Sequence, residues 1–133
     1  MRSPRVVGMM LCKSLSFLPP QGKPSLIDVF HALRFHQFPS LKTHFSVYFA
    51  LYDGVGEGIM ELKISRMETE EDVVLREEKV NLPGRAMHRN CLIPIRDCIF
   101  PAPGNYAIGL RLKREGEDMA NDLALRFLDI FQE

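Results

Sequence analysis

Four histidines, His31, His36, His44 and His88, are the side chains best suited to hold a metal or move a proton. They fall on different expected elements. His31 and His36 stand five residues apart across a strand end, so a period of two points them to opposite faces. Zinc sites pair cysteines at short spacing, and Cys91 and Cys98 are seven apart. The histidines therefore read as scattered structural or surface residues. Nucleophilic catalysis has no firmer footing, because no Gly-x-Ser-x-Gly elbow occurs and no cysteine lies in a catalytic motif. Cys91 takes an inward strand position, where a thiol serves as a small, inert hydrophobe. No catalytic, cofactor-binding or metal-ligating residue is assigned, and no cofactor is expected.

Two acidic stretches are the remaining chemical candidates. Asp53-Gly54-Val55-Gly56-Glu57-Gly58 offers two carboxylates and three glycines. Calcium asks for six to eight oxygens, and the phosphate-cradling lysine and hydroxyl are missing, so the stretch reads as a tight hairpin. Glu68, Glu70, Glu71 and Asp72 could join it at one end of the molecule around an ion; alone they form a solvated acidic turn. Arg85, His88, Arg89 and Arg96 make a small basic cluster. It suits an acidic partner or a charged strand edge, which discourages edge-to-edge pairing.

The elements that must position these residues are strands. Breakers recur at short intervals: Pro19-Pro20-Gln21-Gly22-Lys23-Pro24, Phe38-Pro39-Ser40, Asp53 to Gly58, Glu68 to Asp72, Pro83-Gly84, Pro101-Ala102-Pro103-Gly104 and Arg114-Glu115-Gly116-Glu117. Between them apolar residues alternate. Phe45, Val47, Phe49 and Leu51 share one face, as do Met60, Leu62 and Ile64; Cys91, Ile93 and Ile95; and Tyr106, Ile108, Leu110 and Leu112. Leu26 to Phe35 is apolar on both faces, as a central or covered strand would be. Leu123 to Phe127 reads as a strand followed by a tail, with a short helix carrying Leu123, Phe127 and Ile130 on one face as the alternative. The pattern predicts one all-β domain over residues 1–133, a two-sheet antiparallel β-sandwich of about seven to eight strands, Greek-key and immunoglobulin-like or C2-like.

Composition narrows the function classes. Seventeen basic and seventeen acidic side chains cancel, whereas duplex and anionic-membrane binders carry a basic excess. Three cysteines, an odd number, fit a reducing cytoplasm better than a disulfide scaffold. Val6 to Leu11 is too short for a signal-peptide core and meets Lys13, so it reads as a buried first strand. No apolar run approaches the roughly 18 residues of a membrane helix.

An ordered set of motifs carries a resemblance. Gly22-Lys23 leads to Leu26-Ile27-Asp28-Val29-Phe30 and Phe38-Pro39; Gly56-Glu57, Phe100-Pro101-Ala102-Pro103-Gly104-Asn105-Tyr106 and Gly116-Glu117 follow. From Val6 to Phe127 this order resembles a family of small, mostly bacterial proteins filed as domain of unknown function sixty-nine forty-one. The resemblance implies a β-sandwich and a cytoplasmic bacterial protein, and no activity. Lys13, where that family carries an acid, and the longer Pro19-Pro20 loop depart from its pattern.

Independently of any family, Gly104 allows a turn that other residues resist, and Tyr106 can return its hydroxyl to a loop carbonyl. Phe30 and Phe38 read as anchors beneath loops. The function expected is a non-enzymatic binding or assembly module presenting loops or an edge strand to a protein partner, with an ion-binding sandwich as the alternative. Neither nucleic acid nor membrane is an expected partner. The uncharged first segment and Leu128, Ile130 and Phe131 also predict a symmetric homodimer, unless the two termini cover each other within one molecule.

Overall fold

The computed structural model describes residues 4–18 and 23–133; the Pro19-Pro20-Gln21-Gly22 part of the first expected loop lies outside the described residues. Among the described residues the chain forms nine strands: β1 (Arg5–Leu18), β2 (Lys23–Phe30), β3 (Ala32–Phe35), β4 (Thr43–Tyr52), β5 (Glu57–Arg66), β6 (Asp72–Asn81), β7 (His88–Cys98), β8 (Gly104–Arg114) and β9 (Asn121–Gln132). They build two sheets, ordered β2-β1-β4-β7 and β3-β9-β8-β5-β6. Every pair is antiparallel except β3 with β9, which is parallel. The runs β1-β4-β7 and β9-β8-β5-β6 match the A-B-E and G-F-C-C′ orders of an immunoglobulin sandwich. β2 and β3 are additions at one side.

Period two produces the core as expected. Phe45, Val47, Phe49 and Leu51 of β4 and Ile93 and Ile95 of β7 face Met60, Leu62 and Ile64 of β5 and Tyr106, Ile108, Leu110 and Leu112 of β8. All are buried. An aromatic chain closes one end of this core: Phe30 meets Phe45 edge-on with ring centroids 5.7 Å apart, Phe45 stacks on Phe100, and Phe100 meets Phe35 and Tyr106. Phe38 rests on Phe35 at 6.0 Å. Both expected loop anchors hold.

The corner before β8 follows its sequence chemistry. Gly104 sits at φ 139°, a left-handed backbone that a Cβ disfavours. Two residues on, the buried Tyr106 donates its hydroxyl to the Ala102 carbonyl at 2.6 Å. That is the tyrosine corner of immunoglobulin sandwiches, placed at the start of the strand in the F position. Ser40 ties a second loop down: its Oγ accepts the Phe100 N–H at 2.9 Å, and its own N–H reaches the Phe100 carbonyl.

Three expectations need correction. Leu26 to Phe35 is two strands, because the chain passes from one sheet to the other at His31. Asp72 to Asn81, which the alternation left unassigned between the Glu68-to-Asp72 turn and Pro83-Gly84, is a full edge strand, β6. The final residues are strand to Gln132, with Leu128 and Ile130 buried in the core. Phe131 points outward beneath the Arg34 guanidinium, 5.0 Å from the ring centre. Leu128 and Ile130 are thus covered within one molecule, while Val7, Met10 and Phe131 stay exposed. Arg126 strengthens that closure by donating from Nε to the Met9 carbonyl at 3.3 Å, across the two sheets.

Candidate functional site

The histidines do not meet. His36 pairs with Glu133 at 3.0 Å, His44 accepts the Asp97 N–H at Nδ1, and His88 packs on the Tyr52 ring at 4.7 Å. Among the described residues no group of three His, Cys, Asp or Glu side chains is placed to hold a metal ion. The two acidic stretches lie at opposite ends of β5, which runs ten residues from Glu57 to Arg66. At roughly 3.3 Å per residue they are about 30 Å apart. Each has local work instead. Asp53, at φ 70°, accepts the Ala86 N–H at 3.0 Å and so straps the β4–β5 turn to the β6–β7 loop. Arg66 lies within 3.9 and 4.0 Å of Glu68 and Glu71, and Lys63 within 3.5 Å of Asp72. Arg85, His88 and Arg89 gather at the start of β7, but Arg96 lies near its other end, so the basic cluster loses a member.

The thiols are quiet. All three cysteines are free, with Cys12 and Cys98 buried. Burial pushes each thiol up, Cys98 to about 11, with nearby Arg76 offsetting only part of the rise. Protonated thiols at neutral pH are poor nucleophiles.

Two of the open depressions among the described residues lie beside charged groups. One of about 430 Å³ crosses the outer face of the five-stranded sheet over Ala107 and Gly109, beside Lys63 and Leu125. Its cation Arg111 already faces Asp122 at 3.1 Å. The other, about 890 Å³, opens between Arg5, Tyr52, Asp53 and Asp122. Neither brings together a nucleophile and a base.

The feature that stands out is a face. On the outside of the four-stranded sheet, register aligns Val29, Cys12, Ser46 and Pro94 in one row. The next row is Met10, Tyr48 and Leu92, and the next Gly8, Ala50 and Asn90. No residue of these rows is charged; Arg5 and Arg96 stand beyond them at the two ends. Met10 and Val29 are 49% and 52% exposed, while Cys12 and Ser46 are sunk below their neighbours. Tyr48 extends along the surface and donates to Asn90 at 2.6 Å. The outer face of the other sheet differs: Glu61, Lys63, Arg111 and Asp122 form ion pairs across it beside the exposed Leu125 and Phe127. The signal for the first face is present in the sequence, in the uncharged alternate positions Ser46-Tyr48-Ala50 and Gly8-Met10-Cys12. It shows only when the strands are set side by side.

The sequence matches a family described as "Family of unknown function" over residues 8–125. The chain belongs to that family, DUF6941. This DUF6941 chain therefore bears out the resemblance carried by its Phe100-to-Tyr106 corner and glycine turns. No curated protein matches it. Among solved structures it is similar to the C-terminal domain of wzt, with a TM-score of 0.54 and 11% identity, over 96% of this chain and 72% of that one. At that identity the likeness is one of fold.

Proposed function

We propose that this DUF6941 domain is a non-enzymatic binding and assembly module that meets a protein partner through the outer face of its four-stranded sheet. The observation that supports it is the uncharged, partly exposed face running from Val29 across Met10 and Tyr48 to Leu92 and Pro94. A soluble domain usually wets such a face with charge, as this one does on its other sheet, and contiguous apolar surface marks interaction sites. The edges favour this face over strand addition. Asp28 breaks β2 with φ 54°, Asp97 breaks β7 with φ 57°, and Pro94 offers no N–H. β6 carries Arg76, Glu77, Glu78 and Lys79 along its edge, and β3 is four residues long. Three unpaired thiols favour a reducing, cytoplasmic setting.

The test is affinity capture by three forms of the chain: wild type, Met10→Lys on the face, and Leu75→Lys on the exposed side of β6. Wild type and Leu75→Lys are expected to retain the same protein, and Met10→Lys to lose it. Capture that survives Met10→Lys places the contact elsewhere.

A further inference from the structure

We infer that Arg126 is a lock on the side of the sandwich where β2 and β3 stop short, and that without its guanidinium the β9 edge pairs with the β9 edge of a second copy. Both sheets lose their cover on this side. β2 stays beside β1 only as far as Leu11, and β3 runs beside β9 only from Asp129 onward. Two residues past the end of β2, the Met9 carbonyl accepts from Arg126 Nε at 3.3 Å. In β9 the Asp129 N–H donates to the His31 carbonyl, away from β8. Period two therefore turns the backbone groups of Phe127 and Leu125 to the open side as well. Arg126 Nη1 donates to the Leu125 carbonyl at 2.9 Å. One guanidinium thus caps a carbonyl on each sheet.

Arg126 stands where the strand pattern asks for an apolar residue. It pairs with Ile108 and shares its strand face with Leu128 and Ile130, and all three of these are buried. A charge on the core-facing side of an open edge blocks strand pairing. An arriving strand would strip the guanidinium of its carbonyls and its water and leave it covered and unpaired. The edge behind the lock is suited to pairing. β9 keeps an unbroken register from Ala124 onward, with Leu125 and Phe127 51% and 53% exposed on its outer side. The open stretch of β1 is the poorer ladder, because its register shifts between Val6 and Gly8. Antiparallel pairing of two β9 strands about a two-fold axis joins both open ladders and sets the exposed Leu125 and Phe127 of the two copies side by side.

Light scattering coupled to size exclusion, at about 10 and 500 µM, tests the lock, with circular dichroism to confirm that each variant is folded. Arg126→Leu restores the apolar alternation and removes the charge. Its self-association is expected to strengthen at least about a hundredfold over wild type, reaching twice the wild-type mass at the higher concentration. Arg126→Lys keeps a charge at the position and is expected to keep the wild-type mass. Adding Leu125→Pro to Arg126→Leu removes an N–H that faces the open side rather than β8, and is expected to restore the wild-type mass. Arg126→Gln carries the same expectation as Arg126→Leu and takes its place if that variant does not fold. A folded Arg126→Leu or Arg126→Gln with the wild-type mass at both concentrations overturns the inference. So does association that survives Leu125→Pro, or an Arg126→Lys that associates as strongly as Arg126→Leu. Failure of both neutral variants to fold overturns it too, because Arg126 would then hold the fold rather than guard the edge.

Discussion

Tyr106 lets the corner before β8 be separated into packing and hydrogen bonding. Its ring is fully buried against Phe100, with centroids 5.1 Å apart, and its hydroxyl donates to the Ala102 carbonyl at 2.6 Å. Tyr106→Ala removes both contributions, and truncation of a large buried aromatic costs about 3–5 kcal/mol. Tyr106→Phe keeps the ring and removes only the hydroxyl, for a cost of about 1 kcal/mol. With a urea slope of about 2 kcal/mol per molar, the midpoints fall by about 2 M and about 0.5 M. Equilibrium urea unfolding followed by far-ultraviolet circular dichroism measures both. The reasoning fails if the two variants fall equally, since the ring would then contribute nothing. It also fails if Tyr106→Ala moves the midpoint by less than about 0.5 M, because the segment would then be loosely held.

Gly104→Val is expected to cost about 1–3 kcal/mol from its φ of 139° alone, since a Cβ there meets nothing within 4 Å; an unchanged urea midpoint refutes the left-handed corner. Alkylation without reductant, read by mass spectrometry, should label Cys91 first in the native protein and all three cysteines once unfolded, and a single label after unfolding would reveal a disulfide. Cys98 links stability to alkaline pH: burial raises its thiol from 9.0 to about 11, so the unfolded chain loses that proton first. The contribution is whole below pH 9 and falls by roughly 1.4 kcal/mol per unit as pH rises toward 11. Cys98→Ala should flatten that decline relative to wild type, and parallel slopes would show that Cys98 is not the group responsible.

Much of the sandwich was legible because its central strands bury one face each. β4, β5 and β8 alternate cleanly, and every expected inward residue in them is buried. Where burial departs from one face per strand, the pattern misleads. Leu26 to Phe35 looked like one two-faced strand because its halves serve different sheets: Phe30 meets Phe45 from one, and Phe35 meets Phe100 from the other. β6 went unread because an edge strand needs little apolar surface; only Val73, Val74 and Val80 pack on the core, and four consecutive charges lie between. The uncharged face was illegible for a related reason. Met10, Tyr48 and Leu92 are far apart in sequence, and only the β1–β4–β7 register makes them neighbours.

The blocked edges and the bare face explain each other. A sheet with an uncharged outer face risks stacking, and a sheet with open edges risks lengthening by strand addition; together they lead to open-ended assembly. This chain narrows the second route. β2 and β7, the edges flanking the bare face, each carry an aspartate in left-handed backbone that breaks the straight ladder another strand would need. β1 has an open stretch from Arg5 to Met10, where β2 no longer runs beside it, and β9 has one from Asn121 to Leu128, beyond the reach of β3. There Arg126 reaches across from β9 and occupies the Met9 carbonyl. On the proposed reading, these hindered edges leave contact perpendicular to the sheet as the route by which the uncharged face meets a partner.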